Sequence, residues 1–164
     1  MYAQGYYATL RLHMTITENS IERQIEIKAP VAKVWKALTD SRQFGQWFKV
    51  DLHSEFVAGK TTKGKNTSKG FEMEMVFHIK EIKPQSYFSY CWIPFPMDRS
   101  FDYSQEEPTL VEFFLEPTTY GTLLKVKESG FNQITASRRA EAYKMHSGGW
   151  EAQLKNIEKF VVEK

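Results

Sequence analysis

At 164 residues the chain is long enough to bury a hydrophobic core and short enough to form a single domain. A formal net charge of +2 leaves no electrostatic footprint for nucleic acid or an anionic membrane, and no apolar run approaches the ~18 residues of a membrane span. The one cysteine, Cys91, excludes an intramolecular disulfide and suits a reducing cytoplasm.

Residues 1–19 show poor periodicity and no charged region followed by an apolar core. They are expected to be a poorly ordered extension rather than a signal peptide, ahead of one domain over 20–164. Ser20 to Lys28 alternates Ile21, Ile25 and Ile27 with Glu22, Gln24 and Glu26, the pattern of a half-buried strand. Arg23 falls on its inward face, near enough to the strand end to snorkel outward. Pro30 suits the first turn of a helix carrying Val31, Val34, Trp35 and Leu38 on one face. Asp40-Ser41 opens a second short helix that ends near Trp47.

Val50 to Phe56 reads as a strand with Val50, Leu52 and Phe56 inward, and Gly59 to Gly70 as a solvated basic hairpin. Phe71 to Lys83 is the clearest strand: Phe71, Met73, Met75, Phe77 and Ile79 share one face, Glu72, Glu74, His78 and Lys80 the other. Ser86 to Ile93 returns with Phe88, Tyr90 and Trp92 inward. The loop from Pro94 to Pro108 is longer than most hairpin connections, and its Phe95, Phe101 and Tyr103 make it a candidate lid. Two more strands follow, Thr109 to Glu116 with Val111, Phe113 and Leu115 inward, and Thr122 to Glu128 with Leu124 and Val126 inward.

The last segment, Thr135 to Lys164, predicts one long amphipathic helix. Tyr143, Ser147, Trp150, Leu154, Ile157 and Val161 fall on one face, and Thr135 or Ser137 can cap its start. Gly148 and Gly149 lie inside it, each costing roughly 1 kcal/mol against alanine. They imply close packing on a sheet or room for a cavity. An added methyl is expected to destabilise at one of them and be tolerated at the other, Gly149 being the one that faces sheet or cavity. No helix separates the later strands, which excludes parallel βαβ units. The fold class is therefore α+β, an antiparallel sheet of six to seven strands curved around one long C-terminal helix, with two short helices after strand 1.

No metal-ligand spacing, phosphate-binding glycine loop or nucleophile elbow occurs, so neither metal, cofactor nor catalytic residue is assigned. His53 and His78 point outward, His13 lies in the extension, and only His146 sits at the margin of the inner helix face; it is the one histidine placed to act as a general base, although backbone or water at the sheet edge is its expected partner. Few acids point inward, which argues against a buried acid–base pair. The candidate ligand-binding residues from the sheet and its flank are Trp47, Phe56, Met73, Met75, Phe77, Tyr90, Trp92 and Phe113; Tyr143, His146 and Trp150 come from the helix. Tyr90 and Trp92 carry polar tips that need partners when buried.

Several motifs resemble one known family. Ala29-Pro30 with Val34-Trp35-Lys36-Ala37-Leu38-Thr39-Asp40 and Trp47-Phe48 resembles the opening of the proteins similar to the activator of heat-shock-protein-90 ATPase, in the START-like helix-grip superfamily. Glu81-Ile82-Lys83-Pro84 with Tyr90-Cys91-Trp92 resembles its central hairpin. Gly121-Thr122-Leu123-Leu124, Glu128-Ser129-Gly130-Phe131 and Gly149-Trp150 with Leu154 resemble its C-terminal half. The resemblance implies an apolar cavity between sheet and long helix. Relatives bind lipids, hormones or polyketides, some are cyclases or dehydratases, and one branch stimulates a chaperone ATPase. The reading is a cytoplasmic protein that binds an apolar or aromatic small molecule without a cofactor. A polyketide cyclase or hydratase-type enzyme and a chaperone-activator-like interaction module are the alternatives. Either a monomer or a homodimer fits.

Overall fold

Among the described residues, alternating apolar and polar side chains build seven strands that lie in one sheet, and the helices pack on a single face of it. The computed structural model describes residues 19–70 and 72–164, so the expected extension, apart from Asn19, and Phe71 lie outside the described residues. In chain order the elements are β1 (Ser20–Ile27), α1 (Val31–Thr39), α2 (Ser41–Phe48), β2 (Val50–Leu52), β3 (Thr61–Asn66), β4 (Glu74–Lys83), β5 (Tyr87–Trp92), β6 (Thr109–Pro117), β7 (Thr122–Ser129) and α3 (Ala136–Glu163). The sheet order is β1-β7-β6-β5-β4-β3-β2 and every neighbouring pair is antiparallel. This is the expected α+β helix grip.

Local chemistry explains the boundaries. Asp40 Oδ1 accepts from the backbone N–H groups of Arg42 (2.9 Å) and Gln43 (3.1 Å), which starts α2, and Lys49 ends it in the left-handed region at φ 66°. Trp47 Nε1 donates to Ala37 O at 2.8 Å and locks α2 against α1. Gly121 is required where β7 begins, because a Cβ there would stand 2.0 Å from Ile27 O.

Three expectations change. The strand over Val50–Phe56 stops at Leu52. Beyond it the chain is tied to β3 by the Thr62 hydroxyl, which donates to Glu55 O (3.0 Å) and accepts from Ser54 Oγ (3.2 Å). β4 begins at Glu74, leaving Glu72 and Met73 outside the strand in which the alternation placed them, and its pairing with β5 shifts between Ile79 and Glu81. That irregularity leaves Lys80 and Glu81 both exposed. Neither Thr135 nor Ser137 caps α3 through its side chain; Arg138 N instead bonds Thr135 O at 3.0 Å, and Glu106 Oε1 accepts from Thr135 N at 3.2 Å.

α3 lies across the sheet with Ala142, Trp150, Leu154, Ile157 and Val161 buried, while Tyr143 and Ser147 are half-buried. Arg23, inward on β1, does not snorkel to solvent alone: its guanidinium donates to Ser147 Oγ at 2.6 Å and thereby joins β1 to the helix. Between α2 and the sheet runs an aromatic core of Phe44, Trp47, Phe48, Phe77, Tyr90 and Trp92, with neighbouring ring centroids 4.7–6.4 Å apart. Edge-to-face pairs predominate, the arrangement that ring quadrupoles favour.

Candidate functional site

Leu124, Val126 and Glu128 alternate along β7, so all three side chains point at α3, and Glu128 is 0% exposed. Four donors converge on this carboxylate. Trp92 Nε1, from the last residue of β5, donates to Oε1 at 2.7 Å, and Thr109 Oγ1, from the first residue of β6, donates to the same oxygen at 2.6 Å. His146 Nδ1 and Trp150 Nε1 each lie 2.7 Å from Oε2. His146 and Trp150 are one helical turn apart, which is why both reach the same oxygen. The expectation that no acid–base pair is buried is thus overturned, and His146 bonds a carboxylate rather than backbone or water.

Burial pushes the Glu128 carboxyl up, but the charge of His146 and the hydrogen bonds from His146, Thr109 and Trp92 outweigh it and hold the group below the usual carboxylate range. The buried acid is therefore ionised. Two indole N–H groups, which can only donate, satisfy one lone pair on each oxygen.

Beside this cluster a cleft of about 920 Å³ opens between the middle of α3, the start of β4 and the segment after β5. Phe48, Met73, Met75, Val76, Trp92 and Trp150 form its inner wall. Ile93, together with Phe95, Pro96, Met97 and Tyr103 of the long loop, covers one side, so the loop singled out as a lid is part of the cleft. Asn66, Ser68, Gln153 and Asn156 add polar groups, and His146 contributes to the wall.

Of the residues expected to bind ligand, Met73, Met75, Trp92, His146 and Trp150 line this cleft. Trp47, Phe56, Phe77, Tyr90 and Phe113 are buried core and do not; inward register places them correctly but fills the space with other side chains. Tyr143 is half-buried, donates to Ser20 O at 3.2 Å and is likewise not part of the wall. Phe48, Phe95, Met97 and Met145 line the cleft without having been singled out as ligand-binding residues. Gly149 borders the cleft and Gly148 does not, yet an added Cβ meets nothing within 4 Å at either. The expected clash of a methyl with the sheet is therefore corrected: both positions face open space.

The polar tip of Trp92 is satisfied by Glu128, whereas Tyr90 Oη has no hydrogen-bond partner among the described residues. Burial, reinforced by the charge of Glu128, raises this phenol well above its ordinary value, so it stays neutral. An orphaned buried hydroxyl costs stability. Tyr90→Phe is expected to stabilise the protein by about 1 kcal/mol in denaturant unfolding; a loss of similar size would show that the hydroxyl is bonded.

Among the described residues no group of three or more histidine, cysteine, aspartate or glutamate side chains is arranged to hold a metal ion, and no helix is long and apolar enough to cross a membrane. A family model described as "Activator of Hsp90 ATPase homolog 1-like protein" matches residues 28–161. A search of curated proteins finds no match. Among solved structures, a protein of Mesorhizobium loti is similar with a TM-score of 0.70 at 22% identity, over 88% of this chain and 98% of that one. The Aha1 dimer from Colwellia psychrerythraea gives a TM-score of 0.66 at 20% identity, over 87% and 95%. DynU16, a protein in the dynemicin biosynthetic locus, gives 0.66 at 20%, over 87% of this chain and 47% of its own.

Proposed function

The chain belongs to the Activator of Hsp90 ATPase homolog 1-like family, and on that premise we propose that it binds an apolar, aromatic small molecule in the cleft between sheet and α3. The observation that carries the reading is the cleft itself. Its volume of about 920 Å³ falls in the range of small-molecule sites, and its wall joins aromatic rings to four adaptable methionines, Met73, Met75, Met97 and Met145. Apolar side chains exposed in one concave patch mark a binding surface rather than plain core. Binding of this kind needs no cofactor, and the single cysteine suits the cytoplasm as its compartment.

A second reading, an enzyme of the cyclase or hydratase type, takes support from the His146–Glu128 pair at the cleft wall, since a carboxylate-held imidazole is a common proton carrier.

The test uses the two glycines. Gly149→Leu places an isobutyl group in the cleft, while Gly148→Leu makes the same helical change outside it. Nile red is expected to bind the wild type, to bind Gly149→Leu at least about tenfold more weakly, and to bind Gly148→Leu as the wild type does. Both variants should keep or gain stability, by up to about 1 kcal/mol, because leucine is the better helix former. Equal dye affinity in all three proteins would sink the reading.

A further inference from the structure

We propose that the ligand is an aromatic molecule bearing a weakly acidic hydroxyl, and that this hydroxyl is bound by Nε2 of His146. The inference rests on the cleft being a ligand site and adds the chemistry of its polar contact. Glu128 is wholly buried, ionised and occupied on both oxygens by indole N–H groups, so it can only accept from the imidazole. Nδ1 of His146 therefore carries a proton, and the ring is fixed with Nδ1 toward Glu128 at 2.7 Å. Its other nitrogen makes no hydrogen bond among the described residues, while the side chain is 15% exposed and forms part of the cleft wall. A ligand that covered His146 without bonding Nε2 would strand a polar atom in an apolar site.

Two features select the partner. The ring of Trp92 lies 5.3 Å from that of His146 and 5.8 Å from that of Trp150, so a flat aromatic ligand beside the imidazole meets ring faces and edges. A weakly acidic hydroxyl suits both protonation states of the imidazole. As a neutral O–H it donates to the Nε2 lone pair; as an oxyanion it accepts from Nε2–H, with Glu128 balancing the imidazolium. A hydrocarbon can do neither, and an ether, having no proton to donate, can only accept weakly from Nε2–H.

The test compares 2-naphthol with 2-methoxynaphthalene by fluorescence titration of the wild type and His146→Asn. Asparagine can keep a donor near Glu128 but has nothing in the place of Nε2. The wild type is expected to prefer 2-naphthol about tenfold more strongly than the variant does, the worth of one well-made hydrogen bond. In wild type, long-range nitrogen NMR should show the Nε2 resonance of His146 moving with 2-naphthol and not with the ether, a readout that stands even if His146→Asn fails to fold. Equal preference in the two proteins, or an Nε2 resonance unmoved at saturation, would overturn the inference while leaving apolar binding intact. Failure of both naphthalenes and of Nile red to bind would overturn the cleft reading and this inference with it.

Discussion

Glu128→Gln is expected to lower stability by about 3–5 kcal/mol, the range for breaking a buried charged network by changing one partner. Glutamine has the shape of glutamate, so no cavity term enters. Its amide oxygen can keep one pair of donors, but its amide nitrogen then faces the other pair, either Trp92 with Thr109 or His146 with Trp150. Neither indole can turn to water, since Trp92 and Trp150 are 8% and 3% exposed. Against a total stability of about 5–15 kcal/mol for a typical domain, the loss is visible at once in a denaturant midpoint. A change below about 1 kcal/mol would mean that the donors find other acceptors.

The same carboxylate sets an acid response. Its native pKa lies below the ordinary 4.5, so the unfolded chain binds this proton more readily than the native state. The stability it contributes is fully present above about pH 4.5 and is lost as the pH falls through the lower native value. Over that acid window Glu128→Gln should therefore lose stability less steeply than the wild type.

This carboxylate was half legible. Alternation through Leu124 and Val126 places position 128 inward, yet a charge at the next inward step reads as the end of a strand. Its partners lie 18 to 36 residues away, and only the register of β5, β6 and β7 under α3 brings them together. The long helix was readable because a 3.6-residue period over 28 residues leaves little freedom. Cleft and core were not separable in the same way. Phe77 and Met75 share the inward face of β4, but α2 places Phe44 and Phe48 beside Phe77, whereas Met75 lies near the sheet end that the loop covers. Inward register says which side chains leave water; it does not say which meet each other and which meet a void.

Arg138→Ala is expected to release the loop that covers the cleft. The Arg138 guanidinium binds both oxygens of Glu106, with Nε at 2.8 and 3.1 Å, and also donates to the carbonyls of Pro94 (2.6 Å) and Phe95 (3.1 Å). Tyr103 stacks beneath it, its ring centroid 4.9 Å from Cζ. The side chains of Arg138 and Glu106 are 13% and 1% exposed, so truncation leaves a buried carboxylate with the Thr135 N–H as its remaining partner. Removing one partner of such a pair costs about 3–5 kcal/mol if the structure stays closed. The loop can avoid that cost by lifting Glu106 into water, so the deficit should appear as local opening rather than as a full loss of global stability. Amide exchange should rise across residues 94–108 and Nile red affinity should fall, because Phe95, Pro96, Met97 and Tyr103 supply one side of the cleft. The double variant Arg138→Met with Glu106→Gln removes both charges and should recover part of each effect. Unchanged exchange in the loop of Arg138→Ala would show that packing alone holds it on α3.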